Sequence, residues 1–179
     1  MRHLVGPSGT VHAFEPTPPT LRVLRHTVKT LRLNNVTVHP FACGEQNGFT
    51  TFSIPIEYGI PELGGARCGS NGHTHQWKVV KLDDMITPAV AFIKIDAEGG
   101  ELFVLCGAER ILRESRPVIL FEAAAHTQRF DYQQQDVFDF PKTLGYDFFS
   151  GGFRGRPFLE PRSCFGDLED YFAIPSPLS

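Results

Sequence analysis

The stretch AFIKIDAEGGELFV at residues 91–104 decides the fold. An apolar strand runs into acids and glycines and then into a short apolar helix, an order that is typical of α/β proteins. Because side chains alternate along a strand, Lys94 and Asp96 lie on the same face. An unpaired buried ammonium is costly, so we expect Lys94 to reach the open end of the strand or a carboxylate, either Asp96 or Glu15. The alternative is an ion pair with a purely structural role.

Strands and helices alternate on both sides of this stretch. The helix that begins at Thr17 and Pro18 has an N-cap residue followed by proline, and apolar residues follow it at helical spacing. Gly107 is expected to end the helix after the acidic turn, and Pro141 to kink or shorten a later one. The inward-facing positions of the first helix are Leu21, Leu24, Val28 and Leu31. Strands are predicted at 10–16, 36–44, 49–54, 77–81, 89–96, 116–125, 146–150 and 168–175, helices at 17–33, 99–107, 108–115 and 133–146, and long loops at 55–77 and 151–166.

This order predicts a Rossmann-like α/β fold with a mainly parallel sheet and helices on both faces. The chain has 179 residues, 41% of them hydrophobic, which fits one domain over residues 1–179. Its net charge of -3, without a run of Lys or Arg, argues against nucleic-acid binding. No apolar run approaches the roughly 20 residues of a membrane-spanning helix, and no secretory signal pattern is present.

Four cysteines are widely separated along the chain, at positions 43, 68, 106 and 164. This spacing favours free thiols in a reducing compartment, so we predict a cytoplasmic protein. Cys68, His73 and His75 lie close together in the sequence, but their spacing matches no closed zinc pattern. We therefore predict no metal site.

Acidic residues stand where the predicted parallel strands end. In open α/β sheets ligands bind beyond the carboxyl ends of the strands, and the acids there are Glu15, Asp96, Glu98 and Glu122. Glu15 ends a strand just before a helix, which is the usual position of an acceptor for ribose hydroxyls. The alternative is that Glu15 is only a charge that favours the N-terminus of that helix.

Three blocks of the chain resemble one family: VGPSGTVHAFEPTPPTLRVLRHTVK, KLDDMITPAVAFIKIDAEGGELFVLCGAERIL and RPVILFE. They are similar to the FkbM-type methyltransferases, a branch of the S-adenosylmethionine-dependent enzymes. FEP before a helix, and IKIDAEGGE before a short helix and Gly107, carry the resemblance. FACGEQNG, TLGYDFF and DYFAIP follow in the family's order.

The resemblance implies a role for several residues. Glu15 would bind the ribose of S-adenosylmethionine, the region of Ala42 and Cys43 would lie against the adenine, and Asp96 would border the methyl donor. Asp96 or Glu98 would serve as a base, or as a hydrogen-bond acceptor for the substrate. The reaction would be O-methylation of a small hydroxylated molecule or a sugar, since methyl transfer to oxygen needs alignment and often a base.

The resemblance also implies a strand and a glycine-rich turn of the form Asp-x-Gly-x-x-x-Gly ahead of VGPSG, which this sequence does not contain. We therefore expect an N-terminally truncated member with unpaired strand edges and weakened cofactor binding, inactive in this form if the loss is severe. One competing interpretation is a non-catalytic remnant that binds a nucleoside or a protein partner. Another is a dinucleotide-binding oxidoreductase, which the absence of G-x-G-x-x-G after a strand disfavours. The sequence predicts neither the methyl acceptor nor the oligomeric state.

Overall fold

The structure is a computed structural model. It describes residues 5–6, 8–57, 60–61, 67–68, 72–87, 89–122, 131–153, 157–164 and 170–177, and side chains outside residues 52–75 and 152–158. The chain divides into two compact units. The first contains Met1–Cys43 and Asn47–Val79, and the second contains Gly44–Gln46 and Val80–Ser179. No described helix is long and apolar enough to cross a membrane.

The first unit contains a strand–helix–strand crossover. β1 (Val11–Phe14) leads into α1 (Pro18–Thr30), which returns the chain to β2 (Val36–His39). The two strands pair in parallel, with Val11 opposite Val36. Parallel pairing requires such a crossover, and the sequence predicted all three elements.

The N-terminus of α1 is held by an acid that precedes it. Thr17 occupies the N-cap position as predicted, but its own side chain makes no capping hydrogen bond. Instead, the Thr17 N–H donates to Oε1 of Glu15 at 2.7 Å. Leu21 is buried on the inner face, whereas Leu31 is 58% exposed because the helix has already ended at Thr30. The predicted apolar stripe is therefore wrong at Leu31.

Five further strands of the first unit form a mainly antiparallel arrangement. They are β3 (Ala42–Cys43), β4 (Gly48–Glu57), β5 (Ile60–Pro61), β6 (Arg67–Cys68) and β7 (Gly72–Val80). The strand order is β3-β7-β4-β5, and β6 also pairs with β4. β4 is antiparallel to β5, β6 and β7.

Two predictions for this region are wrong. The single strand at 36–44 is divided into β2 and β3, because β2 ends before Pro40, which has no N–H to donate to a ladder. The loop at 55–77 contains the end of β4 and most of β7. The glycines and prolines of this segment indicated a loop. The strands form nevertheless, because β4 and β7 pair with each other across the segment. The parts of that loop at 58–59, 62–66 and 69–71 lie outside the described residues.

The second unit is built on a five-stranded sheet. Its elements are α2 (Leu82–Met85), β8 (Phe92–Ile95), α3 (Glu101–Cys106), α4 (Glu109–Glu114), β9 (Val118–Glu122), α5 (Gln134–Thr143), β10 (Tyr146–Phe153), β11 (Pro157–Arg162) and β12 (Asp170–Pro175). The strand order is β11-β10-β12-β9-β8. β8 and β9 pair in parallel, and the other pairs are antiparallel.

The chain is therefore an α/β protein with mixed sheets, and the predicted mainly parallel arrangement is not confirmed. The clearest departure is β11, which lies inside the loop predicted at 151–166. β10 ends at Phe153 and β11 begins at Pro157, and so short a connection permits only antiparallel pairing.

Gly107 ends α3 as the sequence predicted, and its lack of a side chain has a second use. A Cβ built on Gly107 would lie 2.0 Å from the carbonyl oxygen of Gly44. Any other residue would force the two backbone segments apart. The glycine therefore permits a close backbone approach within the second unit.

An aromatic cluster fills the core of the second unit. Phe121, Phe138, Phe148 and Tyr171 come from β9, α5, β10 and β12, and each is at most 2% exposed. The rings of Phe138 and Phe148 lie 4.4 Å apart, and those of Phe138 and Tyr171 lie 5.0 Å apart with edge-to-face geometry. Such contacts add about 0.5–1.5 kcal/mol per pair beyond area burial. The cluster fixes β9 and β12 against α5.

The turn between β8 and α3 is held from two sides. Glu101 is 1% exposed, and its Oε1 accepts the N–H groups of Ala97 at 3.0 Å and Gly99 at 3.1 Å. The hydroxyl of Tyr132 donates to the Gly99 carbonyl. Glu98 and Gly99 both have positive φ, which lets the chain reverse sharply within the turn. These contacts fix the backbone that carries the predicted site acids.

Replacing Phe138 with alanine should lower the free energy of unfolding by about 3–5 kcal/mol, because the ring is fully buried among aromatic neighbours. Urea denaturation measures the change. Leu159→Ala is the matched control, since Leu159 is 51% exposed in the same unit and its loss should cost less than about 0.5 kcal/mol. Equal losses in the two variants would contradict the assignment of the core.

Replacing Glu101 with alanine should release the turn, because the Ala97 and Gly99 N–H groups then lose their buried acceptor. We expect a loss of about 1–3 kcal/mol and faster amide hydrogen exchange at those two positions. Glu101→Gln keeps an acceptor oxygen of the same reach and should preserve most of the protection. Unchanged exchange at Ala97 and Gly99 in the alanine variant would show that Glu101 does not hold the turn.

Candidate active site

Two of the predicted strand-end acids lie side by side in the second unit. β8 and β9 run in parallel with Ile95 opposite Phe121, which places Asp96 next to Glu122 where both strands end. The two carboxyl groups are close enough to influence each other's pKa. On the other side of β9, Asp170 at the start of β12 is the partner of Glu122 in the antiparallel register. Glu122 is therefore flanked by an acid on each neighbouring strand.

Lys94 balances part of this negative charge. Its Nζ lies 2.6 Å from Oδ2 of Asp96, and both side chains are partly exposed, at 40% and 46%. Of the two partners that the sequence offered for Lys94, the structure shows Asp96. Lys94 is partly exposed because, in the described sheet, β8 is the edge strand and this face of it meets solvent.

The two carboxyl groups differ in acidity. The hydrogen bond from Lys94 holds the pKa of Asp96 below its ordinary value, and the hydrogen bond from Glu122 acts in the same direction. The pKa of Glu122 is raised to about 7, first by its hydrogen bond to Asp96, then by burial and by the charges of Asp96, Glu98 and Asp170. Glu122 therefore keeps its proton up to near neutral pH, while Asp96 is ionised.

Glu98 belongs to the same group of residues. It lies in the turn with a φ of 51°, is half-buried, and its charge contributes to the raised pKa of Glu122. The structure thus brings both predicted catalytic residues, Asp96 and Glu98, to the end of the sheet where Glu122 lies. Glu122 was noted in the sequence only as a strand-end acid, because its raised pKa depends first on Asp96, which is distant in sequence.

Three of the four predicted cofactor residues, Glu15, Ala42 and Cys43, lie in the first unit, and Asp96 lies in the second. Glu15 follows β1, its N–H donates to the His39 carbonyl at 3.0 Å, and its Oε1 accepts from Thr17. The helix-flanking role that the sequence left open is therefore present. This contact also fixes the carboxylate and leaves Oε2 without a hydrogen bond among the described residues. Binding of ribose by Glu15, and its convergence with Asp96, stay predictions.

Ala42 and Cys43 form the short strand β3. Ala42 is 8% exposed, and burial raises the pKa of the half-buried Cys43 thiol to about 12, so the thiol is uncharged at neutral pH. A small apolar side chain beside a neutral thiol is compatible with the flat, weakly polar face of an adenine. These properties fit the predicted adenine contact without testing it.

The suggested metal ligands are only partly described. The side chains of Cys68, His73 and His75 fall outside the described residues, although their backbones belong to β6 and β7. Among the side chains that the structure describes, no group of three or more His, Cys, Asp or Glu is arranged to hold a metal ion.

Comparison with solved structures shows similarity to two methyltransferases. The first, methyltransferase FkbM from Methylobacillus flagellatus KT, is 20% identical with a TM-score of 0.58, over 92% of this chain and 36% of the other. The second, precorrin-6y C5,15-methyltransferase from Geobacter metallireducens GS-15, is 19% identical over 95% of this chain and 69% of the other. Its TM-score of 0.48 is too low to support an inference about the fold.

The chain thus spans about a third of the length of the first structure, and at this identity the likeness concerns the fold alone. No curated protein matches the sequence. The model of the methyltransferase FkbM domain family, however, matches residues 1–148, which include β1, the acidic turn and Glu122. The match covers most of the chain and agrees with the resemblance noted in its motifs. The chain belongs to the FkbM methyltransferase domain family.

Proposed function

We propose that this domain transfers a methyl group from S-adenosylmethionine to a hydroxyl oxygen of a small molecule or sugar. The observation that carries the proposal is that Asp96 and Glu122 lie side by side where two adjacent parallel strands end, in a chain of this family. Methyl transfer to oxygen needs an acceptor for the hydroxyl proton, and this pair supplies carboxylate oxygens at the sheet end where α/β enzymes bind ligands.

Three residues of the first unit have properties that suit binding of S-adenosylmethionine. Ribose hydroxyls are hydrogen-bond donors, and the Glu15 carboxylate is fixed by Thr17 with one oxygen left to accept. Ala42 and the neutral thiol of Cys43 offer a weakly polar surface for adenine. In this proposal Asp96 lies next to the part of S-adenosylmethionine that carries the transferred methyl group.

The ion pair with Lys94 favours one of the two roles considered for Asp96. A carboxylate whose pKa is lowered is a weak base at neutral pH but a strong hydrogen-bond acceptor. We therefore assign Asp96 to orienting the hydroxyl of the methyl acceptor, with Glu98 beside it. Asp96 would then align the hydroxyl oxygen with the methyl carbon and the sulfur, and displacement at carbon depends strongly on this alignment.

A second function is favoured by the strand edges. β8 lies at the end of its sheet, and β1 belongs to a sheet of two strands, so within the described residues each has an edge without a strand partner. Phe92 on β8 is 41% exposed. Such edges can pair with another chain, which suits a non-catalytic domain that binds a partner or a nucleoside.

We also propose a cytoplasmic location. Cys43, Cys106 and Cys164 are free thiols, as expected in a reducing compartment. The acceptor is proposed as a small hydroxylated molecule, and nucleic acid and membranes are not proposed as partners.

Calorimetry with S-adenosylhomocysteine tests the proposal, because this product binds without requiring an acceptor. Glu15→Ala should weaken binding about ten- to hundredfold, the loss expected for hydrogen bonds to a charged group. Glu15→Gln should retain the contact with Thr17 and separate the loss of charge from damage to α1. The control is Glu114→Ala, which removes an exposed carboxylate on α4 and should leave binding unchanged.

Three results would contradict the methyltransferase proposal. They are no binding of S-adenosylhomocysteine by the unmodified chain, tighter binding of NAD than of S-adenosylhomocysteine, and equal affinity in the Glu15→Ala and Glu114→Ala variants. Thermal melting of each variant shows whether a loss of binding reflects a loss of folding.

A further inference from the structure

We propose that Glu122 is the residue that takes the hydroxyl proton from the methyl acceptor, and that the Lys94–Asp96 ion pair holds it ready for this step. The inference rests on the proposed methyl transfer to oxygen and adds a residue to it. It differs from the sequence prediction, which assigned the base to Asp96 or Glu98.

The first argument is the position of the side chain. Ile119 and Phe121 of β9 are fully buried on one face of the sheet, so Leu120 and Glu122 lie on the opposite face. Lys94 is the register partner of Leu120 on the parallel neighbour, and directly paired residues share a face. Glu122 therefore projects on the same side as Lys94, away from the aromatic core.

The pairing of β9 with β12 also places Glu122 on this face of the sheet. In the antiparallel register Asp170 is opposite Glu122, and Tyr171, opposite Phe121, is fully buried. Asp170 and Glu122 thus share the face that Lys94 occupies. Lys94, Asp96, Glu122 and Asp170 form one polar patch where β8 and β9 end, and Glu122 lies at its centre.

The second argument is where the proton resides. Asp96 and Asp170 lie beside Glu122 on the neighbouring strands, and Lys94 at 2.6 Å from Asp96 favours the ionised form of Asp96. The proton therefore belongs to Glu122, whose pKa is about 7 because of the neighbouring Asp96, of burial and of the nearby charges of Glu98 and Asp170. A general base works best with a pKa near the working pH, because it is then both ionised and basic.

The proposed step balances. The hydroxyl oxygen of the acceptor forms a bond to the methyl carbon, the carbon–sulfur bond breaks, and its electron pair stays on sulfur. The O–H bond breaks as its proton moves to an oxygen of ionised Glu122. One positive sulfonium and one negative carboxylate are thereby replaced by a neutral thioether and a neutral carboxylic acid.

A third, independent observation indicates a ligand at this end of the sheet. Glu101 is 1% exposed, and its Oε2 has no hydrogen-bond partner within the described part of the protein. Asp96 lies near enough for its charge to raise the pKa of Glu101, after the larger effect of burial. A buried acceptor without a donor is costly, and a hydroxylated ligand, or a water that it brings, supplies the missing donor.

The first test requires no activity. Side-chain carboxyl carbons of the full chain are titrated by NMR, and Glu122 should titrate near pH 7. Asp96→Asn removes the adjacent charge and the carboxyl hydrogen bond, so the midpoint of Glu122 should fall toward the ordinary value of about 4.3. A Glu122 midpoint near 4.3 in the unmodified chain would overturn the inference.

The second test measures transfer of labelled methyl from S-adenosylmethionine to methyl glucoside as the hydroxylated probe. Glu122→Gln should lower kcat by about 10²–10⁴ while KM and the affinity for S-adenosylhomocysteine stay unchanged. In the unmodified enzyme kcat should rise with pH through about 7, because protonated Glu122 cannot accept a proton. Glu109→Gln, which removes an exposed acid of α4, is the control.

The outcomes separate the two proposals. If Glu122→Gln transfers methyl at the rate of the unmodified chain, including the case where both stay at background, the role of Glu122 is overturned. If S-adenosylhomocysteine binds and Glu122→Ala behaves as Glu122→Gln, the proton-acceptor role is supported. If S-adenosylhomocysteine does not bind to the unmodified chain, the proposed function fails, and this inference fails with it.

Discussion

The parallel register of β8 and β9 is the constraint on which the candidate site depends. Because Ile95 lies opposite Phe121, the two strands end together, and Asp96 lies next to Glu122. A slip of one residue would turn Glu122 toward the aromatic core, where a carboxyl group beside Phe138 would be costly. Packing of Phe121 and Tyr171 against α5 therefore fixes the chemistry on the opposite face of the sheet as well as the core itself.

The register also explains the lysine that interrupts an otherwise apolar strand. The charges of three acids, Asp96, Glu98 and Asp170, raise the pKa of Glu122 at this end of the sheet. Without a cation, the negative charge around Asp96 would favour its protonation as well. Lys94 forms its ion pair with Asp96, so it distinguishes this acid from its neighbours. One carboxylate stays ionised, and its neighbour retains a proton near neutral pH. The ion pair between Lys94 and Asp96 therefore makes two neighbouring carboxyl groups chemically different.

Local patterns predicted the elements that local contacts form. α1 was recognised from Thr17 and Pro18, and the end of α3 from Gly107, because capping chemistry acts within one turn. β7 and β11 were missed, since their pairing with β4 and β10 is decided by partners elsewhere in the chain. The same distinction holds at the site. Strand ends predicted that Asp96 and Glu98 follow β8. The raised pKa of Glu122, however, depends first on Asp96 of the neighbouring strand pair, which no local pattern around residue 122 reveals.

An acidic sheet end suits a positively charged methyl donor. In the proposed reaction the donor is a sulfonium, and its product is a neutral thioether. Carboxylates nearby attract the first and have little effect on the second, so the same charges that favour binding of the donor do not retain the product. The effect is largest where water is excluded, since the attraction between charges grows as the local dielectric constant falls. Transfer of the hydroxyl proton to Glu122 removes one negative charge as the positive charge on sulfur disappears. The patch and the bound reactants together therefore keep the same net charge through the reaction, which limits the electrostatic cost of the step.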